Sequence, residues 1–132
     1  MKLKLAVKET FDELKKSNIR SALLDSEILI SQAINKNREF ILLNSELEID
    51  QNDYNNLQRL IYERKKRKPI SYITGQKFFW KYNFKINNHV LIPRPDTETV
   101  VETVLNAYKE KNKINFLEVG VGSGCILLSI LK

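Results

Sequence analysis

The chain has 132 residues, 42% of them apolar and 29% charged, with a net charge of +6, which suits a folded globular polypeptide and excludes a disordered or fibrous one. A single cysteine, Cys125, excludes an internal disulfide and a cysteine-based zinc cluster, and fits a reducing compartment. No apolar run approaches the ~20 residues that cross a bilayer, and Met1-Lys2-Leu3-Lys4-Leu5 lacks the apolar core of a signal peptide, so the expected location is cytosolic. Charge is unevenly spread: residues 1–61 hold 9 Lys/Arg against 10 Asp/Glu, and residues 62–132 hold 13 against 6. That asymmetry points to two units, or to an anionic partner for the second.

In chain order, Leu3, Val7, Phe11 and Leu14 share one helical face, and Ser17-Asn18 ends that helix. A second helix spans about residues 21–34. Its apolar residues Leu23, Leu24, Ile28, Leu29, Ile30, Ala33 and Ile34 are too many for one stripe, which predicts burial on more than one side. Asn35-Lys36-Asn37 breaks it, and Asn37 can cap a short helix over 38–43. Asp50 can cap a fourth, with Leu57, Leu60 and Ile61 inward, which must end before Pro69. Residues 1–68 therefore read as a small helical bundle without a catalytic constellation.

The basic run Arg64-Lys65-Lys66-Arg67-Lys68 has two readings. One is the solvated end of a helix, where cations suit the negative pole of the macrodipole. The other is a phosphate contact with nucleic acid or a ribosome. Residues 69–75 are a linker by composition. The period then changes to two: Phe78, Trp80, Tyr82, Phe84 and Ile86 alternate with Phe79, Lys81, Asn83, Lys85 and Asn87, which predicts one strand. With Asn87-Asn88 as a turn and Val90-Leu91-Ile92 as a second strand, a hairpin is expected over 69–92. Its aromatic row is either a buried ribbon face or a base-stacking surface. Pro93-Arg94-Pro95 forbids helix before Asp96, which can cap the next helix, with Glu98 in its first turn and Val100, Val101, Val104, Leu105 and Tyr108 on its apolar face. His89, the only histidine, has no Cys, Asp or Glu beside it and reads as a turn residue, so no metal site is expected.

The last stretch, Phe116-Leu117-Glu118-Val119-Gly120-Val121-Gly122-Ser123-Gly124-Cys125-Ile126, reads as a strand, a glycine loop and the start of a helix. Glycines permit sharp turns and close approach of a ligand to the backbone. The dinucleotide fingerprint would need a third glycine where Cys125 stands, and the Gly-Lys-Ser/Thr of a phosphate loop is absent. E-x-G-x-G-x-G resembles the first motif of S-adenosylmethionine-dependent methyltransferases; the plainer alternative is a glycine turn without a ligand. The chain ends at Lys132, before the acidic residue that commonly grips a ribose about 20 positions on.

Taken together, Pro69-Ile70-Ser71-Tyr72-Ile73-Thr74-Gly75, Phe79-Trp80, Val90-Leu91-Ile92-Pro93-Arg94-Pro95-Asp96-Thr97-Glu98 and Leu117 to Gly124 resemble the HemK-type methyltransferases, the peptide-chain release factor glutamine N5-methyltransferases. Leu23 to Leu29 resembles the second helix of their N-terminal domain. The resemblance implies an α+β chain: a helical domain over 1–68, a hairpin linker over 69–92, and over 93–132 the first helix and strand of a Rossmann-like methyltransferase domain. It implies S-adenosylmethionine as cofactor and the glutamine of a release factor's Gly-Gly-Gln loop as substrate. The cofactor-binding positions would be Glu118, Gly120, Val121, Gly122, Ser123 and Gly124, with residues 93–97 near the methionine end. Lys68 replaces the family's usual Glu. The family's Asn-Pro-Pro-Tyr motif, which binds the substrate amide, does not occur in these 132 residues. The expectation is therefore an N-terminal portion that assigns no catalytic residue and is inactive alone. The competing expectations are a non-enzymatic module docking a release factor or ribosomal partner, and a small basic nucleic-acid binder.

Overall fold

A computed structural model describes residues 1–111 and 113–132. The chain is mixed α and β and divides into two compact units, Met1–Thr74 and Gly75–Lys132.

The first unit is helical: α1 Leu3–Lys16, α2 Ala22–Ile34, α3 Arg38–Leu43, α4 Gln51–Lys65 and α5 Ile70–Thr74. Its core joins Leu3, Ala6 and Leu14 of α1 with Leu29, Ile30 and Ala33 of α2, Ile41 of α3, and Leu57, Leu60 and Ile61 of α4. The seam of α1 differs from the expected one, because the small residues Ala6 and Thr10 are buried beside Leu3 and Leu14 while Val7 and Phe11 stand at its margin. Helix packing favours small side chains where backbones approach closely, and a pattern of large residues alone does not show them. Caps fall where the side chains allow them. The Phe40 N–H donates to Asn37 Oδ1 at 2.9 Å, and the Asp53 N–H to Asp50 Oδ1 at 2.8 Å. The first N–H groups of α1 have no side-chain cap, and instead Leu3 and Lys4 donate to the carbonyls of Leu47 and Ser45 at 2.8 and 2.9 Å. Beside them Glu46 receives both Lys4 and Lys2, which draws its carboxyl down to about 2.

Helix α2 is buried on one side only, contrary to the expected multi-sided burial. Leu23 and Leu24 are exposed, whereas Asp25 and Ser26 are buried. The rotation follows from an ion pair. Arg64 Nε donates to Asp25 Oδ2 at 2.7 Å, and Ser21 Oγ donates to the same oxygen at 2.9 Å. A carboxylate taken out of water requires such partners, and meeting them turns the two leucines outward.

Each residue of the basic run makes a contact within the helical unit, though Lys65, Lys66 and Arg67 stay exposed. Besides Arg64, Lys65 pairs with Glu13 at 3.1 Å, Lys66 lies 4.2 Å over the Tyr62 ring, and Lys68 pairs with Glu63 at 2.9 Å. Arg67, with φ of 68°, donates to the carbonyls of Ser17 and Asn18 at the end of α1. Residues 70–74, expected as linker, are helical: Tyr72 and Ile73 donate to the Pro69 carbonyl, and Ile70 and Ile73 pack against the helical core.

The second unit opens with an antiparallel hairpin, β1 Gln76–Phe79 and β2 Tyr82–Lys85, in the register Phe79 opposite Tyr82 and Lys77 opposite Phe84. The single strand expected over 78–86 is therefore folded back on itself at Trp80-Lys81. A two-residue turn reverses the parity, so the inward residues are Phe79, Phe84 and Ile86, while Phe78 points to solvent. Phe79 and Phe84 meet edge to face at 6.2 Å. Residues 90–92 form no strand. A 3-10 turn, Pro95–Thr97, leads into α6 Glu98–Ala107. Asp96 lies inside that turn and caps nothing with its side chain, since the prolines on either side of Arg94 delay the helix. Of the expected apolar face of α6, Val101 is fully buried while Val100, Leu105 and Tyr108 are exposed. The stretch before the glycines forms no strand: residues 113–118 make no β-pairing among the described residues, and Leu117 and Val119 are 87% and 90% exposed. A strand exists only through its neighbours. The last element is α7 Cys125–Leu131.

Candidate functional site

Between residues 119 and 124 the backbone enters the left-handed region three times. Gly120, Gly122 and Gly124 have φ of 78°, 57° and 75°, the left-handed region that glycine enters without penalty. The loop is pinned at both ends. The Gly124 N–H donates to the Val121 carbonyl at 2.9 Å, closing a tight turn before α7. The Leu127 N–H, in the first turn of α7, donates to Glu118 Oε2 at 3.1 Å. Glu118 thus ties the segment before the glycines to the helix after them, using one of the helix's unpaired donors.

This loop forms one side of a small open cleft of about 180 Å³. Glu118, Gly120, Val121, Gly122 and Ser123 line it together with Cys125 and Ile126, and Leu91 to Arg94 and Thr97 form the opposite wall. Five of the six expected site residues therefore share one surface. The sixth, Gly124, lies behind it, where an added Cβ would stand 3.4 Å from Leu128 Cδ1. At Gly120 an added Cβ would meet nothing within 4 Å, and at Gly122 only the Gly120 carbonyl at 4.0 Å. These two glycines leave main chain bare on the cleft side, which is what close approach of a ligand to backbone requires. Of the 93–97 stretch, Pro93, Arg94 and Thr97 line the cleft. The lining is mainly apolar, with Arg94, Glu118, Thr97 and Ser123 as its polar points.

One participant went unread in the sequence. Glu98 Oε1 accepts the N–H of Trp80 at 2.8 Å, bracing the hairpin turn against the start of α6. The only legible signal was an acid in the first turn of a helix, and its partner is 18 residues away. Among the described residues no group of His, Cys, Asp and Glu is arranged to hold a metal ion, and no helix is long and apolar enough to cross a membrane.

A helical unit, then a hairpin, then a left-handed glycine loop opening a helix is the layout of the front part of a methyltransferase of the resembled type. Residues 6–75 match the family described as the PrmC N-terminal domain, and the chain belongs to that family. It is similar to a release factor glutamine methyltransferase of Leptospira interrogans, 42% identical over 125 residues, which cover 94% of this chain and 44% of that protein. A release factor glutamine methyltransferase of Clostridium acetobutylicum is 41% identical over 132 residues, 100% of this chain and 46% of that protein. A bifunctional methyltransferase of Rickettsia conorii is 34% identical over 153 aligned positions, 98% of this chain and 29% of that protein. The chain spans less than half the length of these curated relatives.

Proposed function

We propose that this chain supplies the helical substrate-docking unit and the first cofactor-binding loop of a release factor glutamine methyltransferase, which moves a methyl group from S-adenosylmethionine to the glutamine of a release factor's Gly-Gly-Gln loop. The observation that carries this reading is the bare, left-handed main chain at Gly120 and Gly122, facing the Pro93–Thr97 wall across a cleft. Gly120, Val121, Gly122 and Ser123 would hold the cofactor through their backbone, Gly124 would let α7 start close behind, and Glu118 would keep the loop closed. When bound, S-adenosylmethionine supplies an electrophilic methyl on a sulfonium. An amide nitrogen is a poor nucleophile, so what the protein adds is placement and electrostatics. No catalytic residue is assigned among these 132. A cleft of about 180 Å³ is below the ~300–1,000 Å³ of sites that enclose a whole ligand of this size. Weak binding by this polypeptide alone is therefore expected.

The nucleic-acid reading, which rested on the basic run and the aromatic hairpin, has less to support it, since residues 64–68 also make contacts within the helical unit and Phe79 and Phe84 are buried. The non-enzymatic docking reading shares with the methyltransferase reading a helical unit that meets a release factor, and differs from it in giving the glycine loop no cofactor.

Binding is best followed by amide shifts in the isotope-labelled chain, which register weak complexes. S-adenosylmethionine is expected to move the amides of residues 118–127 and of the 93–97 wall, and Gly122→Asp to abolish the response. No response in the wild type, or a response confined to the helical unit, would overturn the proposal.

A further inference from the structure

Each wall of the cleft has a carboxylate that accepts a main-chain N–H. Glu118 does so for the glycine loop and itself lines the cleft. Glu98 lies outside the cleft, and its partner is unusual. Trp80 occupies the first position of a two-residue hairpin turn with φ of 57°. A bulky aromatic side chain enters that region only where its surroundings hold it there. The carboxylate at 2.8 Å from its N–H is such a hold, and the Lys81 ammonium stands 5.7 Å over its ring.

At its other end Glu98 follows directly on the 3-10 turn Pro95–Thr97, in which the Thr97 N–H donates to the Arg94 carbonyl at 3.1 Å. Arg94 and Thr97 line the cleft. Two prolines leave this segment few conformations, so it moves as a piece. The Trp80–Glu98 hydrogen bond ties that stiff piece to the hairpin turn. We propose that Glu98 is a positioning residue for the cleft: by holding the Trp80 amide it sets the Leu91–Thr97 wall at its working distance from the glycine loop, and so sets how well the cleft grips the cofactor. This rests on the cofactor reading given above. Glu98 touches no ligand, and the property it must supply is an acceptor at the right reach, which Gln also has.

The test compares the wild-type chain with Glu98→Gln, Glu98→Ala and Glu98→Asp. Without ligand, hydrogen exchange at the Trp80 amide is expected to speed up about tenfold in the alanine variant and to stay near wild type in the glutamine variant, in line with the loss of one charge-assisted hydrogen bond. Emission from Trp80, the only tryptophan, should shift in parallel. With S-adenosylmethionine, followed by the amide shifts of residues 118–127, the alanine variant is expected to bind about tenfold more weakly and the glutamine variant to recover to within about twofold. If the alanine variant does not fold, the aspartate variant carries the test, since its reach is one methylene short and the same loss is expected. Equal Trp80 protection in all variants would overturn the clasp. Faster exchange with unchanged affinity would overturn the positioning role alone. A wild type without any cofactor response would remove the cofactor reading, and this role with it.

Discussion

The helical unit and the glycine-loop unit bury their apolar residues to very different degrees. In the first, Leu3, Leu14, Leu29, Ile30, Leu57 and Ile61 are essentially inaccessible to water, while Leu5, Leu23, Leu24, Leu42, Leu43 and Leu47 are exposed. In the second, Phe79 and Val101 reach that degree of burial while Leu117, Val119, Leu91 and Leu131 lie open. Helices close their own backbone bonds, so a bundle completes itself from neighbours in sequence. An apolar run such as 113–119 needs strands on either side. The glycine loop nevertheless has its shape, because its bonds are local: Gly124 to Val121, and Leu127 to Glu118. Site geometry and site support thus have different ranges in this chain.

The sharpest break of this contrast comes from the ion pair that buries Asp25 against Arg64. Arg64→Leu leaves the Asp25 carboxylate buried without its cation and is expected to cost about 3–5 kcal/mol. Helical circular dichroism in urea should record it, while Trp80 emission reports the second unit separately. The double variant with Asp25→Leu is expected to recover most of the loss. Simultaneous collapse of both signals would show that the units do not unfold separately. A cavity gives a comparable effect. Leu29→Ala, at a fully buried position, is expected to cost about 2–5 kcal/mol of helical-unit stability, measured in the same way.

In the second unit the expected changes are smaller and local. Gly124→Ala must place a Cβ at φ 75° and 3.4 Å from Leu128, a strain of about 1–2 kcal/mol. Faster amide exchange over residues 121–128 with unchanged helical-unit melting is the expected record, and slower exchange would refute it. The weakest effect lies at the surface. Hydrogen bonds from Lys4 and then Lys2 lower the Glu46 carboxyl to about 2, from an ordinary value of 4.5. Its contribution is therefore present above pH 4.5 and lost as the pH falls toward 2. Both lysines are well exposed, so solvent and salt screen the pair. Comparing Glu46→Gln with wild type in urea, the small gap at pH 7 should close as the solution is acidified. A gap that widens would reverse the assignment.

How far the sequence spoke depended on the range of each interaction. Asn37 and Asp50 announced their helices because a cap acts over three residues, and both bonds are present. The left-handed glycines were legible for the same reason. A hairpin was expected, but between 78–86 and 90–92, whereas its strands are Gln76–Phe79 and Tyr82–Lys85, within and just before the first of those runs, and 90–92 forms no strand. Trp80-Lys81 carries no turn chemistry, and what holds it is Glu98, distant in sequence. The rotation of α2 was hidden likewise, since Asp25 finds Arg64 39 residues later. In α1, reading only large residues missed Ala6 and Thr10. The apolar run before the glycines has strand character, but β structure belongs to a pair of strands rather than to one.

The engagement of residues 64–68 has a consequence for handling the protein. Trypsin cuts after lysine and arginine, and this run is the richest cluster of such bonds in the chain. A protease must draw several residues of extended backbone and a free basic side chain into its groove. Here Arg64 and Lys65 are helical, Arg67 is fastened to the end of α1, and Lys68 is paired with Glu63. A brief digest should therefore leave this cluster uncut, and its first cleavage should mark when the helical unit opens rather than where its basic residues lie.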